Sequence, residues 1–130
     1  MSFRSFLKRL ASRLPARWQN ELKRFQFRHQ IKKGKFVNEE KKFGLLGVGV
    51  SEGYWVLDIG ANIGHYSCKL SEIVGLEGRV VAFEPVPETF ELLAANMLQF
   101  PLQNVSLLNL AASDSTRIVG MHIPKFATGL

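Results

Sequence analysis

This 130-residue sequence has a single cysteine, Cys68, which excludes an intrachain disulfide and a cysteine-rich zinc cluster and favours a reducing compartment. Long hydrophobic runs are absent too: the longest strongly apolar stretch, Phe43 to Val50, is far short of a membrane span. Lys8, Arg9 and Arg13 interrupt any signal-peptide core, so the chain is expected to be cytoplasmic, neither secreted nor membrane-spanning. Acid is scarce at one end. Residues 1–42 hold thirteen Lys and Arg against Glu21, Glu39 and Glu40, a net +10, whereas residues 43–130 carry −4. The overall +6 therefore describes a basic arm joined to a mildly acidic domain, and the length suffices for one such domain only.

Within the arm, Phe3, Phe6, Leu7, Leu10 and Leu14 recur at helical spacing, with Arg4, Lys8, Arg9 and Arg13 largely between them. This pattern predicts a basic amphipathic helix ending near Pro15. Three readings of it stand open: packing on the domain, peripheral contact of residues 1–17 with an anionic membrane, and a targeting segment. Phe25, Phe27 and Phe36 among the lysines also allow a nucleic-acid-binding arm, but no nucleic-acid fold signature accompanies them, which disfavours that partner.

From residue 43 the pattern changes. An apolar, glycine-rich stretch turns through Ser51-Glu52-Gly53 and delivers the chain to Trp55–Ile59, a short apolar run predicted as a buried parallel strand. Asn62 is predicted to cap a helix running to about Val74, closed by Gly75. Arg79–Phe83 repeats the strand pattern, and Pro87 opens a second helix whose inward stripe is Phe90, Leu93, Ala94, Met97 and Leu98, stopped by Pro101. Val105–Ala111 reads as a third strand and Arg117–Ile123 as a fourth extended segment. Alternating strands and helices predict a right-handed parallel sheet in spatial order 3-2-1.

Two strand ends carry the chemistry. Val56-Leu57-Asp58-Ile59-Gly60-Ala61-Asn62-Ile63-Gly64 ends an apolar run in an acid and a glycine turn, and Val80-Val81-Ala82-Phe83-Glu84-Pro85 ends the next in a second acid. An α/β domain presents a ribose-containing cofactor in this way. A dinucleotide site wants G-x-G-x-x-G, but Asn62 occupies the second glycine's place and would crowd a pyrophosphate; no G-x-x-x-x-G-K-[ST] loop holds phosphates either. A cofactor with a ribose and no phosphate fits better, S-adenosylmethionine being the common one. Gly60 would leave space for the methionine tail, Asp58 would lie near its amino group, and Glu84 could accept from both ribose hydroxyls.

These residues resemble the FkbM-type S-adenosylmethionine-dependent methyltransferases. Asp58 to Ser67 is similar to that family's first motif, Phe83-Glu84-Pro85-Val86-Pro87 with Phe90, Leu93 and Asn96 to its second, and Asn104-Val105 through Ala111-Ala112-Ser113-Asp114 to its third. The resemblance covers roughly residues 45–130. It implies a class I, Rossmann-like methyltransferase fold preceded by the helical arm of residues 1–42, with residues 43–130 as the cofactor-binding part. The implied reaction is methylation of a hydroxyl on a small molecule, such as a natural product, or on a glycan. By position, Asp58, Gly60, Ala61, Asn62 and Gly64 would serve the methionine end, Glu84 the ribose, and Pro85, Ala111 and Ala112 the adenine.

Family members continue with a fourth strand and an acidic motif not found here, so the sheet is expected to stop after about three strands. The first strand is then expected to be an open edge with an uncovered apolar face. The groups that align and deprotonate an acceptor usually project from that later region, and no catalytic residue is assigned. His65, His122 and Tyr66 are each expected to be structural or locally bonded before being catalytic, and no His–carboxylate spacing suggests a metal site. A catalytically inactive cofactor-binding remnant is the alternative to an enzyme, and a nucleic-acid-modifying protein a lesser one.

Overall fold

The computed structural model describes residues 3–37, 44 and 46–123; the charge boundary at residues 42–43 lies outside them. Helix α1 spans Phe3–Ala11, α2 Ala16–Lys32 and the single turn α3 Leu46–Gly49. A repeating unit follows: β1 Trp55–Ile59, α4 His65–Val74, β2 Arg79–Phe83, α5 Pro87–Met97 and β3 Val105–Leu108. The strands are parallel in the order β1-β2-β3, as the alternation predicts. Asp58 pairs with Ala82 and Ile59 with Phe83, so the β1 and β2 ends lie side by side.

Because each crossover is right-handed and the sheet grows one way, α4 and α5 share one face of it. That face holds Val80 and Ala82, both fully buried, beneath Ser67, Cys68, Leu70, Ser71 and Val74 of α4 and Leu92, Leu93, Asn96 and Met97 of α5. The core has two parts. Ala61, Cys68, Ala82, Leu93 and Met97 form one, and Leu70, Val74 and Val80 form the other, with Leu46 and Val50 packed against the second. The stretch expected as a loop before β1 thus contains the short helix α3 and covers core.

On the opposite face β1 is bare, whereas β2 and β3 are half-buried. Trp55, Leu57 and Ile59 are exposed, and among the described residues β1 has a strand partner on one side only, as expected. Five sequence expectations need correction. Trp55–Ile59, expected as a buried strand, has no buried residue, and Leu98, expected on the inward stripe of α5, is 72 % exposed while Leu92 and Asn96 are buried. Helix α4 begins at His65 with Gly64 before it, and Asn62 makes no side-chain cap, because it stands in the left-handed region (φ 52°) inside the turn. The third strand ends at Leu108, where Asn109 turns its side chain back to the carbonyls of Glu84 (2.8 Å) and Pro85 (3.2 Å). Arg117–Ile123 forms no strand; it is exposed and lacks a ladder to join.

The arm is fastened to the domain. Helix α2 lies against α5, and Phe36, 2 % exposed, sits edge-on to Phe27, tilted against Phe100 and stacked on His65 with ring centroids 4.5 Å apart. Burying a phenylalanine side chain is worth about 1.5–3 kcal/mol. Two of the three aromatics considered for nucleic-acid stacking, Phe27 and Phe36, are therefore spent inside the protein.

Gly64 joins the turn to this core. Its φ is 99°, and a Cβ there would stand 2.5 Å from the Met97 methyl and 2.9 Å from Leu93 Cδ1. Gly64→Ala is expected to cost about 2–4 kcal/mol, summing left-handed strain and overpacking. A urea midpoint indistinguishable from the parent would contradict the close approach.

Candidate cofactor site

The segment Gly60–Gly64 is a turn in which four of the five N–H groups are already spent. Gly60 and Ala61 both donate to the Phe83 carbonyl at 2.9 Å, Asn62 donates to Glu84 Oε2 at 2.9 Å, and Gly64 donates to Ala61 at 3.0 Å. A pyrophosphate is held by a cluster of outward N–H groups at a helix start. Here the Gly60, Ala61, Asn62 and Gly64 donors are bonded inward, and the Asn62 N–H already serves a carboxylate. This excludes the dinucleotide reading more firmly than the bulk of Asn62, whose side chain is exposed.

Glu84 is the centre of the arrangement. It is 5 % exposed, and each carboxylate oxygen accepts one backbone N–H: Oε2 from Asn62 and Oε1 from Val86, both at 2.9 Å. An ionised carboxylate has about four acceptor sites, so about two remain for ribose hydroxyls. It is a strut between the turn and the β2 end that keeps acceptor capacity to spare.

Asp58 lies one strand away, paired with Ala82. Ser67 Oγ donates to its Oδ2 at 2.6 Å. Burial pushes the Asp58 carboxyl above its ordinary 3.8, and the hydrogen bonds from the Ser67 hydroxyl and backbone pull it part of the way back. The site therefore offers a carboxylate short of a cation, which suits an ammonium or sulfonium ligand.

The other sequence-assigned residues divide by position. At Gly60 (φ 81°) an added Cβ would meet nothing within 4 Å, so the outer side of the turn is open space in which a ligand chain fits. Ala61 is core, and Gly64 faces Leu93 and Met97, so these two shape the turn from behind. Pro85, Ala111 and Ala112 line an open concavity with Phe83 and Asn109 at the ends of β2 and β3. Sequence reading placed Ser67 and Asn96 in motifs without giving them a role, and did not single out Asn109. Asn96, 2 % exposed, donates to the Ile63 carbonyl at 2.9 Å and fixes the turn from α5. A buried asparagine on an apolar helical stripe is the signal that could have marked it.

His65 is stacked on Phe36 and His122 lies in exposed coil; neither is placed as a base. Among the described residues no three His, Cys, Asp or Glu side chains group as a metal site. Cys68 is buried, and desolvation, reinforced by Glu72 and eased by Lys69, pushes its thiol up to about 12.

Strand-end acids around a glycine turn on a parallel sheet define a class I methyltransferase domain of Rossmann-like fold. The chain belongs to the FkbM methyltransferase family: the family model described as "Methyltransferase FkbM domain" matches residues 58–128. A protein-L-isoaspartate O-methyltransferase of Methanothrix thermoacetophila is 33 % identical over 57 residues, covering 44 % of this chain and 27 % of that protein. A SAM-dependent O-methyltransferase from Thermotoga maritima superposes with a TM-score of 0.54 at 24 % identity, over 65 % of this chain and 34 % of that one. A Clostridium thermocellum protein provisionally named an rRNA-methylase gives 0.52 at 22 % identity, over 55 % of this chain and 40 % of that one. This chain therefore spans between about a quarter and two fifths of these relatives' lengths.

Two outcomes test this geometry. Glu84→Gln sets an NH2 group against a backbone N–H and is expected to cost about 1–3 kcal/mol in urea unfolding even without ligand; no loss would refute the strut. Cys68 is expected to react with a maleimide only at the rate of unfolding, and rapid native-state labelling would refute its burial.

Proposed function

We propose that this chain is the cofactor-binding half of an S-adenosylmethionine-dependent O-methyltransferase acting on a hydroxyl of a sugar or natural product. The observation that carries the reading is the Gly60–Gly64 turn, with the N–H groups of Gly60, Ala61, Asn62 and Gly64 satisfied internally and Asp58 and Glu84 flanking it. Such a turn rejects phosphate and accepts a cationic, ribose-bearing ligand. The bare face of β1 supports the "half" in this reading, since a sheet with one side uncovered calls for further structure against it.

S-adenosylmethionine, when bound, supplies a sulfonium-activated methyl group, which an acceptor oxygen takes by in-line displacement while the carbon–sulfur electron pair stays on sulfur. The residues of this chain bind and orient. Asp58 would pair with the ligand's ammonium, Gly60 would give room to its chain, and Glu84 would fix the ribose. The concavity beside Pro85, Ala111 and Ala112 would take the adenine. The acceptor proton is assigned to no described residue. The hydroxyl acceptor rests on the family resemblance; the relatives' names point to protein and rRNA substrates for those proteins.

Calorimetric titration of the full chain with S-adenosylhomocysteine tests the reading. Binding is expected, and Asp58→Asn should weaken it roughly 10- to 100-fold, the worth of a charged hydrogen bond. The pH dependence has a definite sign. Because the ligand-free protein holds the Asp58 proton more tightly than the unfolded chain does, ionising Asp58 costs stability as pH rises through its elevated pKa. An ammonium ligand favours the ionised form, so affinity should rise with pH across that window, level off above it, and lose the dependence in Asp58→Asn. No binding by a folded chain would overturn the assignment.

A further inference from the structure

The outer surface of the arm has no role in the site described above. Helix α2 places Asn20, Lys23, Phe27 and Ile31, all half-buried, toward the domain. Trp18 and Leu22 recur at i and i+4 on the opposite side, 55 % and 48 % exposed, and Phe25, 76 % exposed, stands with Arg28 at the rim of the concavity between α2 and α5. Helix α1 adds Phe6, Leu7 and Leu10, also exposed, and Gln19 ties the two helices by donating to the carbonyls of Ser12 (3.2 Å) and Leu14 (2.8 Å). Arg13, Arg17, Arg28, Lys32, Lys33 and Lys35 are exposed beside these side chains. The one acid between residues 3 and 37 is Glu21, which Arg24 already pairs at 2.9 Å. The guanidinium of Arg17 stands 6.0 Å from the Trp18 ring centroid.

We propose that α1 and the outer face of α2 dock the protein on an anionic lipid surface. Large apolar side chains backed by Arg and Lys with almost no acid are what a helix lying in the headgroup region requires, and Trp is favoured at that depth. Charge complementarity selects anionic lipid and sets the orientation, because the arm carries +10 while residues 43–130 carry −4 and are repelled. Nucleic acid is a poorer occupant: Phe27 and Phe36 are spent in packing, and exposed Leu7, Leu10 and Leu22 offer bases no stacking surface. No described helix is long and apolar enough to cross a membrane, so contact is with one leaflet. This inference is independent of the methyl-transfer reading.

The full chain carrying Trp55→Phe leaves Trp18 as the sole tryptophan and reporter. Mixed with phosphatidylcholine–phosphatidylserine vesicles it should co-sediment, shift Trp18 emission to the blue and be released by salt; phosphatidylcholine alone should do neither. Replacing Arg13, Arg17 and Arg28 together with Gln should lower the partition coefficient on the order of a hundredfold. Leu10→Ser with Leu22→Ser should abolish the emission shift while circular dichroism is unchanged. Should these variants misfold, the emission response of the Trp55→Phe chain decides alone. Equal binding to neutral vesicles, an unshifted Trp18, undiminished binding by either folded variant, or salt-sensitive RNA binding without vesicle binding would each overturn the proposal.

Discussion

The carboxylate of Glu84 is the point on which the ends of β1 and β2 meet. Parallel strands are joined by slanted hydrogen bonds that stop at the last residue, and beyond them each chain must find its own partners. Here the turn after β1 finds two at the Phe83 carbonyl and a third at Glu84 Oε2, while Glu84 Oε1 draws in Val86 to start the next helix. One buried acid thereby sets the shape of the turn, the entry of α5 and the charge of the site. The form of the candidate site is a by-product of satisfying backbone donors that would otherwise be orphaned.

The far end of the same unit is closed by a neutral counterpart. Asn104 donates to the carbonyls of Ser71 (3.0 Å) and Gly75 (2.7 Å) and accepts from the Ser71 hydroxyl, pinning the end of α4 to the start of β3. Among the described residues no buried side-chain polar atom is left without a partner. Carboxamide at one end and carboxylate at the other differ in one respect that matters for function. Both of the amide's donors are used up in the protein, whereas the carboxylate is all acceptor and keeps about half of its capacity to spare.

The strand–helix–strand order and both acids were legible in the sequence because they follow from period and punctuation: apolar runs bounded by Gly75, Pro87 and Pro101. Where the reading went astray, a local rule met a tertiary bond. Asn62 looks like a cap, yet its N–H is claimed by Glu84, twenty-two residues away, and the helix starts later. Val105–Ala111 looks like one strand, yet Asn109 folds back on the β2 end and breaks it. At Gly64 the close approach of Met97 from another helix gives a reason for glycine that local patterning does not show. None of these partners lies within a window that local patterning can see.

Phe36 changes what the arm is. Charge alone makes residues before the mid-forties look like an appendage that could be trimmed without consequence. The ring of Phe36 instead fills a hollow walled by His65 and Phe100, and Val37 packs beside the cluster that includes Ala61 of the turn. In folding terms the arm's last turn belongs to the same cooperative unit as the cofactor loop. Proteolytic removal of the basic segment would thus loosen the turn itself, tying the shape of the strand ends to possession of the arm.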